Sequence, residues 1–360
     1  MANAHGGAMP LFKKAIIMGL LMFTGQVFAT TIPATDYRFN YEGRVIKDWA
    51  LGEVLLNWPG SAVAFQFSGS RLQVNMDGRG TQFDVLVNGE LSHRVKTSSG
   101  MNTYDIVSFA EPDEVHIELV KRNENHDAMI RIAGFDVEGD IHGVWQQQPH
   151  ILFYGDSITA GYGNESSQRE CTTAEIADTT NARMSYASIA SETLGASRTL
   201  VAYSGLGLLR NWNGNDPHHN LPYYMNKSGA IFTGIDEYED RHPDLVVINL
   251  GGNDFSTPLQ PHEPWPDMPA FYAAWLDGYV DFISRQRDRY GNVPVIVVAK
   301  IWYHEIISML EARLAAQNIQ GVYTHYYDAE YLGCNWHPSV KEHKIIADNL
   351  VNKIKVLSIL

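Results

Sequence analysis

In the first third of the chain, apolar positions alternate with polar ones. Between residues 36 and 140, apolar side chains recur at every second position in short runs, and no helical period is found. Alternation is typical of strands with one buried face. Asn88-Gly89, after the third run, is typical of a tight hairpin turn. This part therefore predicts a β-sandwich of the jelly-roll kind. The runs are Val63–Phe67, Leu72–Met76, Phe83–Val87, Val115–Leu119 and Ile130–Phe135.

The pattern changes after the glutamine-rich segment 146–149. Continuous apolar runs at 150–154, 198–203, 244–250 and 293–299 predict buried parallel strands. Helical periods lie between and after them, at about 183–194, 269–288, 304–317 and 339–356. The alternation predicts an α/β domain whose functional loops share one edge of a parallel sheet. We place the β-sandwich at residues 30–145 and the α/β domain at 146–360.

The first 29 residues have the pattern of a leader and signal peptide. Residues 1–8 look like an upstream extension, and Lys13 and Lys14 precede an apolar run that ends near Phe23. Val27-Phe28-Ala29 is a small-residue cleavage site. The alternative, a first buried strand or helix, is disfavoured by the two lysines. The mature protein is expected to be secreted, to the periplasm or beyond the cell, with no membrane segment.

Charge narrows the choice of partner. Removing residues 1–29 deletes two lysines and no acid, so the formal charge moves from −14 to −16. An acidic exported protein is a poor candidate for binding nucleic acid or an anionic membrane. A neutral polysaccharide meets no such objection. The remaining 331 residues suffice for two ordinary domains.

Residues 151–163 carry the strongest chemical signal. An apolar strand leads into Gly155-Asp156-Ser157, and small residues compatible with a helix follow. Such a turn presents the Ser157 hydroxyl at the carboxyl end of a strand, where backbone N–H groups face a bound anion. A serine there is either a helix cap or a nucleophile.

Three later blocks supply the missing chemistry, each after an apolar run: Ser204-Gly205, Gly251-Gly252-Asn253-Asp254 and Asn335-Trp336-His337-Pro338. Together with Ser157, and in this order, they resemble the SGNH (GDSL-type) hydrolases over roughly residues 148–358. The resemblance implies a three-layer α/β sandwich with Ser157 as nucleophile and His337 as its general base and acid.

It also implies an oxyanion hole built from the backbone N–H groups of Ser157 and Gly205 and the side-chain amide of Asn253. Gly207 is the competing choice for Gly205. The neighbouring acids Asp156 and Asp254 are expected to cap turns or bond backbone amides rather than carry protons.

One position departs from this family. The usual aspartate three residues before the histidine is replaced by Cys334. We therefore predict a Ser157–His337 dyad, whose Nδ1–H bonds to a backbone carbonyl or to the Asn335 side-chain oxygen. Asp328 is a poor substitute on spacing. The alternative is that catalysis has been lost.

The two cysteines follow the serine block and precede the histidine. If the blocks converge, Cys171 and Cys334 form a disulfide that joins the two loops, as an oxidising compartment allows. The alternative is two buried free thiols. Two cysteines do not indicate a zinc site, and neither a metal nor a cofactor is expected.

A β-sandwich ahead of such a domain narrows the resemblance to carbohydrate esterase family 2, which removes acetyl groups from plant cell-wall polysaccharides and prefers 6-O-acetyl groups. Aromatic faces stack on sugar rings, and we expect Trp336, Trp212, Tyr162 and Trp265 to bind substrate. The expected partner is acetylated xylan or glucomannan, and the expected state is a monomer. A lipid or aryl esterase and a non-catalytic sugar-binding protein are the alternatives.

Overall fold

The described part of the chain forms two domains, each built on one sheet. The computed structural model describes residues 1–2, 29–125, 128–144, 147–230 and 237–360. The signal peptide predicted from the sequence lies almost entirely outside these residues. The first sheet is antiparallel and is contained within residues 30–142, which we call the β-domain. The second sheet is parallel and lies within residues 147–360, the α/β-domain.

The β-domain sheet has the strand order β3-β4-β9-β5-β8-β6-β7, with β1 added to β9 and β2 to β5. Its strands are β1 (Thr30–Pro33), β2 (Asn40–Glu42), β3 (Val45–Asp48), β4 (Glu53–Leu56), β5 (Ala62–Asp77), β6 (Gln82–Val87), β7 (Glu90–Lys96), β8 (Asn102–Lys121) and β9 (Ile130–His142).

Strand β5 joins two runs that the sequence pattern separates. Its 16 residues alternate between buried and half-buried positions throughout. The register shifts at Gly69, where β5 meets Gly139 of β9. A Cβ on Gly69 would lie 2.2 Å from the Glu138 carbonyl oxygen, so the two backbones approach as only glycine permits. The runs are therefore halves of one strand with an irregularity at its middle.

The parallel sheet has the order β11-β10-β12-β13-β14. Its strands are β10 (His150–Gly155), β11 (Ser197–Ala202), β12 (Leu245–Asn249), β13 (Val295–Lys300) and β14 (Val322–Tyr327). The helices are α1 (Ser157–Ala160), α2 (Thr173–Thr179), α3 (Tyr186–Leu194), α4 (Leu221–Tyr224), α5 (Gly252–Phe255), α6 (Met268–Tyr290), α7 (His304–Ala316) and α8 (Val340–Leu357).

Helices cover both faces of this sheet. Apolar residues of α3 and α8 pack with alternate side chains of β10 and β12 in one cluster. Residues of α6 and α7 pack with the intervening side chains in another cluster. Strands buried on both faces need continuous apolar runs, which is why their positions were predictable. The predicted fold class, an all-β domain followed by a three-layer α/β domain, is confirmed.

Strand β14 is absent from the sequence prediction. It reads Val-Tyr-Thr-His-Tyr-Tyr and is mostly half-buried, because it lies at the edge of the sheet. An edge strand does not need the continuous apolar run by which its neighbours are recognised.

Two buried arginines of the β-domain form ion pairs with the α/β-domain. Arg122 of the β-domain donates to Asp84 at 2.6 Å and to Glu165 of the α/β-domain at 2.5 Å. Arg44 donates to Asp240 at 2.8 and 2.7 Å, and both side chains are buried. Removing one partner of such a pair leaves a buried charge uncompensated. These contacts therefore hold the domains in one arrangement.

No helix in the described part of the chain is long and apolar enough to cross a membrane.

Candidate active site

Ser157 lies where a strand turns into a short helix. Strand β10 ends at Gly155, and Asp156 caps α1 by accepting the Ile158 N–H at 2.9 Å. A side chain on Gly155 would collide with Thr159, since its Cβ would lie 2.0 Å from the Thr159 Oγ1. The turn therefore depends on a glycine, and it presents Ser157 at the carboxyl edge of the sheet, as the sequence predicts.

His337 reaches Ser157 from the other end of the chain. Its Nε2 lies 2.8 Å from the Ser157 Oγ. Its Nδ1 lies 3.0 Å from each of two backbone carbonyl oxygens, those of Cys334 and Asn335. Because carbonyl oxygens only accept, Nδ1 carries the hydrogen and Nε2 is free to accept from the serine hydroxyl.

The sequence left open which group accepts the Nδ1–H of His337. In the structure the acceptors are two main-chain carbonyls. The Asn335 side chain instead donates to the Tyr162 hydroxyl at 3.2 Å. No carboxylate is among the hydrogen-bond partners of His337 in the described ranges. Burial lowers the pKa of His337, and the two carbonyls oppose that shift. The imidazole is therefore neutral at neutral pH, the state that accepts a proton.

The loop before His337 has an unusual backbone. Asn335 and Trp336 both have left-handed conformations, with φ of 48° and 55°. Such residues cost of order 1–3 kcal/mol each and persist only where the surroundings impose them. Here the Cys334 N–H donates to the Gly163 carbonyl at 3.2 Å, and the Asn335 N–H donates to the Arg169 carbonyl at 2.6 Å. The loop is thus held by the segment that follows the nucleophile.

A disulfide adds a covalent link at the same place. Cys171 and Cys334 are bonded, with their Cα atoms 5.5 Å apart although the two residues are 163 positions apart in the chain. Cys334 supplies one of the two carbonyls that orient His337. The bond therefore joins the serine and histidine loops directly.

Replacing both Cys171 and Cys334 by serine is expected to lower the free energy of unfolding by about 2–4 kcal/mol, because the unfolded chain loses the constraint of a long closed loop. Denaturant unfolding of the double variant beside the wild type measures this. Reduced wild-type protein should match the double variant. Equal unfolding free energies for oxidised wild type and variant would show that the bond contributes no stability.

Of the donors predicted for the oxyanion hole, Ser157 and Asn253 line one cleft and Gly205 lines a depression that shares Trp212 with it. Within the described residues, neither the Ser157 N–H nor the Gly205 N–H donates to another protein group. The Asn253 Nδ2 donates to the Leu206 carbonyl at 2.8 Å and lies 3.4 Å from the Asp156 Oδ2, so its second hydrogen is only weakly engaged. The Gly207 N–H, by contrast, donates to the Asn211 Oδ1 at 3.0 Å. The geometry favours Gly205 over Gly207.

The two acids beside these donors hold the backbone, as predicted. Asp254 accepts the N–H groups of three consecutive residues, Leu208 to Arg210, at 2.8–2.9 Å. Asp156 caps α1. Burial raises the pKa of Asp254, and it raises that of Asp156 to about 7. Both carboxyls therefore shape the loops around the dyad.

A cleft of about 470 Å³ opens over the dyad. Two of the predicted tryptophans line it, Trp212 and Trp336, which are 49% and 57% exposed. Trp212 also lines an adjoining depression of about 330 Å³ beside Gly205. Exposed indole faces at a cleft are suited to stacking on sugar rings.

Family models match both domains. A model described as carbohydrate esterase 2 N-terminal matches residues 41–142, and one described as the GDSL-like lipase/acylhydrolase family matches residues 153–332. The chain belongs to carbohydrate esterase family 2. It is a GDSL-like carboxylic ester hydrolase.

Relatives can be aligned with this chain over nearly its whole length. An acetylxylan esterase/glucomannan deacetylase of Cellvibrio japonicus is 28% identical, over 95% of this chain and 98% of its own. The structure of a family two carbohydrate esterase from Clostridium thermocellum in complex with cellohexaose is 27% identical, with a TM-score of 0.78 over 89% of this chain and 100% of its own. A family two esterase from Cellvibrio japonicus has the same fold, with a TM-score of 0.80, 22% identity and coverage of 92% and 98%.

Two aromatic predictions for this esterase need correction. The Tyr162 ring packs on the His337 ring, with centroids 4.5 Å apart, and it does not line the cleft. Trp265 packs on Phe271 of α6 at 4.8 Å and against the apolar core. Tyr162 therefore supports the base, and Trp265 lines neither depression. An aromatic ring in a loop buries apolar area most readily against the core beneath it.

Sequence reasoning missed a third exposed tryptophan in the esterase's cleft. Trp302 is 73% exposed, lines the cleft and lies two residues after the end of strand β13. The Lys300 Nζ lies 3.3 Å from the centroid of the Trp302 ring and 3.6 Å from that of the Tyr331 ring. Lys300 is 2% exposed, and burial lowers its pKa. The signal was available: both residues lie at the carboxyl end of a predicted parallel strand, the edge where such sheets bind ligands.

Proposed function

We propose that this enzyme is a secreted carbohydrate esterase that removes O-acetyl groups from plant cell-wall polysaccharides such as xylan and glucomannan, with a preference for 6-O-acetyl groups. The observation that carries the proposal is the 2.8 Å contact between the Ser157 Oγ and the His337 Nε2 beneath a cleft lined by exposed tryptophans. The relative from Cellvibrio japonicus, named an acetylxylan esterase/glucomannan deacetylase, supports the substrate class. The 6-O preference follows from the family resemblance.

Acyl transfer takes two steps. The Ser157 Oγ attacks the acetyl carbonyl carbon while His337 takes the hydroxyl proton on Nε2. The oxyanion of the tetrahedral intermediate accepts hydrogen bonds from the Ser157 and Gly205 N–H groups and the Asn253 amide. Its collapse breaks the bond to the sugar oxygen, which receives the proton from His337. Water then attacks the acetyl-enzyme, again losing its proton to His337, and acetate and free Ser157 result.

The dyad works without a carboxylate as third member because two backbone carbonyls take over the role of that carboxylate. They hold the imidazole in the required tautomer and stabilise the imidazolium that forms during each step. A carbonyl carries only a partial charge, so this stabilisation is weaker than that of an aspartate. The acyl-enzyme route therefore relies more on the oxyanion donors.

Cleavage after Ala29, as predicted, would leave strand β1 of the β-domain intact. Strand β1 begins at Thr30, directly after the predicted cleavage site, and pairs with β9. N-terminal sequencing of the exported protein is expected to begin at Thr30.

Acetate release distinguishes the candidate functions. Acetylated xylan and glucomannan are expected to be better substrates than aryl or glycerol esters with long acyl chains, and NMR of residual acetyl groups should show early loss at O6. Preference for long acyl esters would instead indicate a lipid or aryl esterase. Polysaccharide binding without acetate release would indicate a non-catalytic sugar-binding protein.

A further inference from the structure

A carboxylate of the β-domain reaches the oxyanion loop. Glu124, which lies between β8 and β9, accepts hydrogen bonds from both the backbone N–H and the hydroxyl of Ser204. The hydroxyl contact is 2.7 Å. Ser204 directly precedes Gly205, whose N–H is an oxyanion donor of the proposed mechanism. A residue 80 positions away thus holds the residue that directly precedes that donor.

The segment that carries Glu124 is anchored by the three residues before it. Lys121, Arg122 and Asn123 before it are buried. Arg122 is paired with Asp84 at 2.6 Å and with Glu165 across the interface at 2.5 Å. The buried Arg122 guanidinium, paired with one carboxylate of each domain, therefore sets the position of the Glu124 backbone relative to the α/β-domain. Pre-organised donors need this kind of support.

The backbone around Gly205 shows what the contact accomplishes. Gly205 has a φ of 83°, in the left-handed region, and its carbonyl accepts the Trp212 N–H at 2.9 Å. Its own N–H has no partner within the described residues. Holding the N–H and the hydroxyl of Ser204 restrains the residue on one side of the Ser204–Gly205 peptide, and the bond from Trp212 to the Gly205 carbonyl restrains the other side.

We propose that the β-domain takes part in catalysis through Glu124, a positioning residue that holds Ser204 and thereby aims the Gly205 N–H at the oxyanion. The proposal rests on the proposed function. It gives the β-domain a role in the acyl-transfer step rather than in polysaccharide binding. The carboxylate form is required, because only an ionised carboxyl accepts from two donors with no competing proton of its own.

The charge state of Glu124 offers a distinctive test. Burial raises the pKa of Glu124 to about 7, while the two bonds from Ser204 and the charge of Lys121 oppose the shift. Asp156 and Tyr162 of the α/β-domain also face this charge. Because the raised pKa leaves the carboxyl protonated at lower pH, kcat is expected to fall as the pH drops through about 7. Above that pH the oxyanion loop is held.

Glu124→Gln is the first variant. It keeps the size of the side chain but leaves one acceptor oxygen, so kcat is expected to fall by about 10- to 100-fold with little change in KM, somewhat less than the loss of a donor itself. The acid midpoint of kcat is expected to move to lower pH. The variant no longer has the Glu124 carboxyl that titrates near pH 7. The loss of its negative charge also lowers the pKa of Asp156, and both effects move the midpoint to lower pH.

Ser204→Ala gives the opposite shift. The Ser204 hydroxyl bond lowers the pKa of Glu124, so its removal should move the acid midpoint to higher pH with a smaller loss of kcat. Glu42→Gln is the matched control. Glu42 is also a β-domain carboxylate, and it accepts the Arg198 N–H at 2.7 Å near the start of strand β11, the strand whose far end leads to Ser204. Its kcat and pH profile are expected to match the wild type.

The test compares the pH profiles of kcat of the wild type and the three variants on one acetylated substrate. The thermal unfolding midpoint of each protein shows whether it is folded. If Glu124→Gln fails to fold, the upward shift in Ser204→Ala still tests the proposal. Unchanged kcat and pH profiles in folded variants would overturn it, as would equal losses in Glu42→Gln, which would show a general effect of the interface. Wild-type protein without esterase activity would instead overturn the proposed function.

Discussion

Replacing Ser157 by alanine is expected to lower kcat by at least about 10⁴-fold while leaving the fold and polysaccharide binding intact. Enzymes of this kind lose most of their acceleration with the nucleophile, because the remaining groups do not form the acyl-enzyme. The side chain is small and lies at the cleft, where its Oγ contacts His337 at 2.8 Å. Its removal therefore leaves no large cavity. Acetate release from acetylated glucomannan, followed beside thermal unfolding, measures both effects.

Ser256→Ala is the matched control for this variant. Ser256 lines the same cleft, and its hydroxyl lies 3.4 Å from the Asn253 carbonyl oxygen rather than near the histidine. Its kcat is expected to stay close to that of the wild type. Ser157→Ala protein that releases acetate at the wild-type rate would exclude the acyl-enzyme mechanism.

Asn253→Ala is expected to lower kcat by about 10²–10³-fold with a small change in KM, the loss typical of one oxyanion donor. The amide lies beside Ser157, held by the Leu206 carbonyl at 2.8 Å. A dyad without a carboxylate depends strongly on such donors, because the imidazolium is stabilised by carbonyls alone. Steady-state kinetics on a soluble acetyl ester separates kcat from KM.

A second amide in the same cleft provides the comparison. Asn335 donates to the Tyr162 hydroxyl at 3.2 Å and its side chain has no role in the oxyanion hole. Asn335→Gly removes this amide and accommodates the φ of 48° at this position, so it is expected to cost much less than Asn253→Ala. Equal losses in the two variants, or a tenfold rise in KM alone for Asn253→Ala, would mean that Asn253 binds the ground state rather than the oxyanion.

Local patterns predicted the central strands and the long helices. Strands β10, β12 and β13 are buried on both faces and therefore read as continuous apolar runs. Strand β14 was missed because an edge position tolerates Tyr, His and Thr. The irregular middle of β5, where the register shifts, was predicted as a gap between two strands. Its pairing of Gly69 with Gly139 depends on a partner 70 residues away in the chain.

The two residues of the proposed dyad were predictable for a similar reason. Ser157 and His337 each lie within a short motif that carries its chemistry locally. The groups that support them are different. Glu124 is recognised only once the two domains are placed together, because its partner Ser204 belongs to the other domain. Trp265 was predicted to bind substrate because of its aromatic ring, whereas its ring packs on Phe271 of helix α6.

The acyl-enzyme itself is the most direct test of the account. The enzyme is reacted with an activated acetyl ester, quenched in acid within the first turnovers, digested and mapped by mass spectrometry. We expect the acetyl group on the Oγ of Ser157, with a larger trapped fraction in a His337→Ala variant if that variant is still slowly acylated. Wild-type protein that turns over the ester without acetylation of Ser157, or with the label on another residue, would contradict the proposed dyad.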